Sequence, residues 1–169
     1  MDSVDKIIAQ WRRERPDLDV AAMALIGRVK RLSHEFTREM EATLASYGLN
    51  LPAFDVLATL RRSGRPFRLS PGELMERTMV TSGTMTNRVD QLEKQGLVVR
   101  VKNPDDARGF LVSLSPKGRR KIDAALAAHV ETQKGLVSIL SQNEFSKLNA
   151  LLRRFLVSVE EKDHPENSN

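Results

Sequence analysis

The sequence predicts a mainly α fold with a small β-wing, on three observations. First, a short capped helix opens at Ser70: Pro71 takes the first helical position and Glu73 falls three residues after the cap. This is a capping box whose proline lacks an N–H where none is needed. Second, after a break at Met79-Val80-Thr81-Ser82, another helix runs to Gly96, followed by two β-rich runs, Leu97–Lys102 and Phe110–Leu114, joined by a charged turn over 103–109. Third, apolar residues at 3–4 spacing extend on both sides of this block. Short helix, turn, longer helix and hairpin together make a winged helix-turn-helix, flanked by N- and C-terminal dimerisation helices.

Taken in order, Val4–Arg15 reads as a short helix with Ile7, Ile8 and Trp11 on one side. Pro16-Asp17-Leu18-Asp19 breaks it, and Asp19 suits the N-cap of the next helix. That helix runs to about Tyr47 with Leu25, Val29, Leu32, Phe36, Met40, Leu44 and Tyr47 on its stripe, and Gly48 fits its C-terminal cap. A stripe this long needs cover, and a partner subunit is the economical source. Asn50 caps the next helix, Leu51 to Arg62, which turns Phe54, Leu57 and Leu60 inward. The turn Ser63-Gly64-Arg65-Pro66-Phe67-Arg68 is basic; Arg61, Arg62, Arg65 and Arg68 suit phosphate contact and plain solvated charge equally.

After the wing, Ser115-Pro116 repeats the serine cap with proline behind it. The helix it starts carries Ile122, Leu126, Val130, Val137 and Leu140, with Lys117, Arg119, Arg120 and Lys121 close to the wing. Ser141 and Glu144 form another capping box, opening a last helix with Phe145, Leu148, Leu152, Phe155, Leu156 and Val159. The polar end from Glu160, with Pro165, should fray. The expected organisation is therefore 1–49 as N-terminal extension and dimerisation helices and 50–115 as the winged helix-turn-helix. Residues 116–161 form the C-terminal dimerisation helices and 162–169 a flexible tail. Neither an internal repeat nor a low-complexity linker interrupts it.

Composition bounds the function. A length of 169 residues allows one domain, or one compact unit with helical extensions, and 40% hydrophobic residues suffice for a core. No apolar run is long enough to span a bilayer and no secretory pattern opens the chain, so a cytoplasmic protein is expected. The absence of cysteine excludes disulfides, thiol catalysis, thiol redox sensing and thiolate metal sites. His34, His129 and His164 are scattered, without an HExxH pair, and the chain has neither a P-loop nor a GxGxxG after a strand. The expectation is no enzyme, no cofactor and no metal.

The net charge of +5 is unevenly spread. Between Arg61 and Lys121 fourteen Lys and Arg face six Asp and Glu, whereas the rest of the chain has thirteen against sixteen. Positive charge concentrates on the winged helix, as phosphate contact requires. The segment lacks the bulky apolar anchors of a membrane-surface helix.

At 100° per residue, Met85, Val89 and Leu92 share a narrow sector of the second helix. Gly83, Asn87, Asp90 and Lys94 lie opposite, with Thr84 and Thr86 flanking. Small hydroxyl and amide side chains near a helix N-terminus approach phosphates and base edges closely, and asparagine pairs with adenine in the major groove. These residues are also what any solvated face would carry; the basic hairpin directly behind them turns the reading toward duplex DNA. The candidate contacts are Ser82, Gly83, Thr84, Thr86 and Asn87, with Arg65 and Arg68 for phosphates. In the hairpin tip Asp106 can hold Arg108 extended, as a narrow minor groove favours. Otherwise the two form an ordinary surface ion pair of little worth.

The run Asp106-Ala107-Arg108-Gly109-Phe110-Leu111-Val112-Ser113-Leu114-Ser115, then Gly118, resembles the wing signature of the MarR family of bacterial transcriptional regulators. Leu51-Pro52-Ala53-Phe54-Asp55-Val56-Leu57 and Val89–Val98 are similar to the family's other recurrent segments, in the same order and spacing. The resemblance spans roughly residues 20–160. It implies an obligate homodimer on a pseudo-palindromic operator in double-stranded DNA. Repression is the expected output, because a dimer lying across a promoter blocks polymerase without further parts.

Four further residues suggest a ligand. Trp11 is the sole tryptophan, and a lone tryptophan is more often a core residue or cover for one; Asp55 is an acid between apolar neighbours. Arg88 lies about 65° from the centre of the buried stripe, and Arg100 ends the first wing strand. One aromatic ring, two guanidinium groups and a carboxylate suit a flat anionic molecule, although either arginine could instead contact phosphate. Trp11, Asp55, Arg88 and Arg100, with the Arg15-Pro16-Asp17-Leu18-Asp19 segment, resemble the set marking the urate-responsive branch of the MarR family. By that resemblance a small anion such as urate binds between the dimerisation helices and the winged helix and releases DNA. The alternatives are a winged-helix regulator without an effector, and an adaptor that uses its winged helix to bind protein.

Overall fold

The computed structural model describes residues 1–78, 82–104, 106 and 109–163. The backbone divides into two compact units, residues 1–132 and 133–169.

The first unit opens with α1 (Ser3–Glu14) and α2 (Ala21–Ala45). Asp2 and Asp5 cap α1 reciprocally, at 2.9 Å onto the Asp5 N–H and 2.8 Å onto the Asp2 N–H. The two helices share a small core of Val4, Ile8 and Val20, and the Arg28 guanidinium ties them by donating to both Asp2 and Asp5. Asp19 stands one residue before the N-cap position, yet its carboxylate still accepts the Ala21 N–H at 2.9 Å. At the far end Gly48 takes φ +63° and the Leu49 N–H reaches back to the Leu44 carbonyl at 3.1 Å. That closure needs a left-handed residue, which is why glycine stands there.

The winged helix follows: α3 (Leu51–Arg62), β1 (Arg68–Leu69), α4 (Pro71–Thr78), α5 (Ser82–Lys94), β2 (Val98–Lys102) and β3 (Phe110–Leu114), with α6 (Pro116–Val137) behind it. The expected caps form. Asn50 accepts the Ala53 N–H at 2.9 Å; Ser70 and Glu73 exchange bonds of 3.2 and 2.8 Å; Ser115 Oγ accepts the Gly118 N–H at 2.9 Å. The sheet is antiparallel in the order β1-β3-β2, with Val98 opposite Leu114 and Lys102 opposite Phe110 in the wing. Strand β1, read from sequence as a turn, pairs Arg68 with Ser113 and Leu69 with Val112. At two residues it is too short to show an alternating pattern.

One core unites these elements. Leu44 of α2, Leu57 and Leu60 of α3, Leu74 of α4, Met85 and Leu92 of α5, Val112 of β3 and Ile122 of α6 are all buried within it. Each large aliphatic side chain buried this way contributes about 1.5–3 kcal/mol. The stripe inferred for α5 is therefore the face that docks. A Cβ on Gly118 would lie 1.9 Å from the Leu97 carbonyl oxygen, so glycine lets the start of α6 pass directly over the chain that leaves α5.

The second unit contains α7 (Gln142–Asp163), opened by Ser141 and Glu144 through bonds of 3.4 and 2.8 Å. Its apolar stripe, including Phe145, Leu148, Leu152, Phe155 and Leu156, is exposed in the single chain. So are Leu25, Val29 and Leu32 of α2 and Leu126 and Val130 of α6. Among the described residues no helix is long and apolar enough to cross a membrane.

Candidate nucleic-acid interface

Helix α5 is held to the body by Met85, Val89 and Leu92, each at most 2% exposed. That docking leaves Gly83, Thr84, Thr86 and Asn87 on the open side, all exposed. At Gly83 an added Cβ would meet nothing within 4 Å, so no packing inside the chain requires glycine there. Ser82 begins the helix; its side chain and all of Arg108 lie outside the described residues, and with Arg108 the expected arrangement of the hairpin tip. Asp106 is exposed in the wing turn, which closes through Asn103 N–H to Gly109 O at 3.2 Å and Gly109 N–H to Asp106 O at 3.0 Å. Arg65 and Arg68 are exposed on the α3–β1 side.

The other basic residues divide by what they touch. Arg61 binds Asp123 at 2.6 Å, and its guanidinium and that of Arg119 lie 5.0 and 5.4 Å from the Phe67 ring centre. Arg62 donates to the Arg77 carbonyl at 2.9 Å. Lys117 and Lys121 donate to the carbonyls of Gln95 and Tyr47 at 2.8 and 2.7 Å, closing the C-terminal ends of α5 and α2. A cation there complements the helix dipole.

The four ligand candidates do not all converge. Asp55, on α3, lies within electrostatic range of Arg88 on α5 and of Arg62 and His129. Its side chain is exposed overall, but desolvation where the carboxyl meets its neighbours pushes its pKa up, against the pull of the two guanidinium groups and the His129 ring. The His129 ring packs on Phe54, with centroids 4.6 Å apart, and burial pushes its pKa down while Asp55 opposes the shift. Arg100 is turned elsewhere. It stands in the middle of β2, not at its end, and its guanidinium donates to Asp90 and Glu93 of α5 while lying 5.1 Å from the Phe110 ring centre. Trp11 is 42% exposed on the α1–α2 hairpin. Among the described residues no three His, Asp or Glu gather as a metal site would require.

A model of the MarR family matches residues 47–109. The HTH-type transcriptional regulator PecS of Dickeya dadantii (strain 3937) is 38% identical over 151 residues, covering 89% of this chain and 91% of PecS. The chain belongs to the MarR family. Among solved structures, the MarR family transcriptional regulator Sco5413 from Streptomyces coelicolor matches with a TM-score of 0.71 and 28% identity, over 85% of this chain and 98% of Sco5413. A mutant MarR from E. coli complexed with operator DNA shares the fold, with a TM-score of 0.68 and 23% identity over 86% of this chain and 97% of that one. This MarR-family chain is thus a DNA-binding transcriptional regulator and not an enzyme.

Within that family frame, helical periodicity found the docking face of α5 and missed Glu93 and the role of Asp90. The 100° wheel put Asp90 on the outer side with Asn87 and left its partner unseen. Three-residue spacing of Asp90 and Glu93 was the available signal, because residues so placed lie side by side on a helix and one guanidinium can span them.

Proposed function

We propose that this MarR-family regulator binds a pseudo-palindromic operator as a homodimer, acts as a repressor, and is released by a small anionic effector such as urate. Two α5 helices enter successive major grooves roughly 34–36 Å apart, with the wings at the flanking minor grooves. Ser82, Gly83, Thr84, Thr86 and Asn87 read base edges and phosphates, Arg65 and Arg68 hold the backbone, and Asp106 steadies Arg108. Residues 1–49 and 116–161 supply the dimer contacts. The apolar stripes left exposed on α2, α6 and α7 support a second copy, since apolar surface on that scale is rarely left bare.

The effector reading is supported by the placement of Asp55 on the body helix α3 within electrostatic range of Arg88 on α5. An anion placed there repels Asp55 and draws Arg88, moving α5 off the pitch of the two grooves. Trp11 completes the site as an aromatic wall, and Arg100 joins it on leaving Asp90 and Glu93. The test is calorimetric titration of the dimer with urate, alongside Asp55→Ala and Arg88→Ala and a gel shift on the protein's own upstream region. Urate is expected to bind and release the duplex from the parent protein, and both variants to lose that binding. Unchanged binding in both variants removes the site. A monomer in sedimentation removes the two-groove geometry.

A further inference from the structure

The recognition helix carries two carboxylates, Asp90 and Glu93, on the side next to the wing. Near a phosphate backbone two uncompensated negative charges oppose binding. Both are taken up by one side chain of β2: the Arg100 guanidinium donates through one amino group to Asp90 and through the other to Glu93. The backbone joins in, with the Arg100 N–H donating to Glu93 Oε1 at 3.2 Å. On the wing side the guanidinium lies 5.1 Å from the centre of the Phe110 ring, and Phe110 pairs with Lys102 on the neighbouring strand. The side chain of Arg100 is 29% exposed, and those of Asp90 and Glu93 are 43% and 36% exposed.

We propose that Arg100 is a positioning residue for sequence-specific DNA reading, fixing the angle between α5 and the wing by clasping Asp90 and Glu93. One planar fork with fixed donor directions holds two acids a helical turn apart, an arrangement that lysine cannot reproduce. Base edges are then presented by a helix whose rotation about its own axis is set by the wing, and the two carboxylates enter the complex already neutralised. This holds for the ligand-free protein and does not depend on the effector reading.

A double-mutant cycle tests it: Arg100→Gln, Asp90→Asn with Glu93→Gln, and all three together, each measured as full-length protein by fluorescence anisotropy on operator and on scrambled duplex over a range of salt. If Arg100 acts through the two acids, Arg100→Gln weakens operator binding about tenfold. Scrambled-duplex binding falls by only about threefold, through the uncovered carboxylates that repel any phosphate backbone, so the specificity ratio falls. In the Asp90→Asn, Glu93→Gln background the same substitution then costs less than about twofold, because its partners are already gone. Arg100→Lys is expected to resemble Arg100→Gln. The proposal is overturned if Arg100→Gln costs the same in both backgrounds and weakens operator and scrambled duplex alike, the signature of a direct phosphate contact. It is equally overturned if Arg100→Gln changes nothing. Circular dichroism of each variant, and the Asp90→Asn, Glu93→Gln protein as the second background, separate loss of fold from loss of reading.

Discussion

Substituting Gly118 with alanine would put a methyl carbon 1.9 Å from the Leu97 carbonyl oxygen and 2.8 Å from the carbonyl carbon. Contact at ordinary distance needs more than an ångström of separation, and the obstacle is backbone with no rotamer to yield. The Leu97 carbonyl also accepts the Ser115 N–H at 3.0 Å, while the Leu97 N–H closes α5 onto Leu92 at 2.9 Å. Retreat therefore breaks bonds at both the end of α5 and the start of α6. Overpacking of this kind costs about 1–3 kcal/mol, and the rigid partner places Gly118→Ala at the upper end, about 3 kcal/mol. For a chain of this size that is a fall in Tm of about 6–12 °C. The control is Gly135→Ala in the same helix, where a Cβ meets nothing within 4 Å. It should gain about 0.5–1 kcal/mol from reduced backbone freedom. Differential scanning calorimetry at one protein concentration compares the two, and operator anisotropy should show Gly118→Ala weakened at temperatures where it is still folded. A Gly118→Ala melt within about 2 °C of the parent would refute the reasoning, since the close approach would then be relieved at no cost.

Two other outcomes are expected. Gly83→Ala should leave stability equal or raised by about 0.5 kcal/mol, yet lose about tenfold in operator affinity, because the space it fills belongs to DNA in the proposed complex; undiminished affinity would take Gly83 out of the interface. For His129, burial holds the folded pKa below its ordinary value of 6.5, so the unfolded chain binds the proton first. Stability is then full above that value, falls as pH drops through 6.5 toward the folded pKa, and levels below it. Urea midpoints between pH 7.5 and 5.5 should show this slope reduced in His129→Gln; an identical slope in both proteins would assign the effect elsewhere.

The lengths over which residues interact explain what could be read in advance. Ser70 with Glu73, Ser141 with Glu144, Asn50 with Ala53 and Gly48 closing α2 are decided within a few residues of chain, where backbone geometry leaves one arrangement. The same holds for the buried sector of Met85, Val89 and Leu92, since a helix fixes where each Cβ points. A two-residue strand such as β1 has no such local signature, because its existence rests on the edge that β3 offers.

Sequence by itself determined the helices, the caps of α3, α4, α6 and α7, the wing strands and the concentration of positive charge around them, all properties of neighbouring residues. Only the tertiary structure decided who holds the long side chains. Arg61 meets Asp123 from sixty-two positions away, Arg100 spans to Asp90 and Glu93, Lys121 closes α2 at Tyr47, and the His129 ring settles on Phe54. A guanidinium or ammonium at the end of several rotatable bonds goes where charge and desolvation together are most favourable, and that place exists only once distant segments have packed.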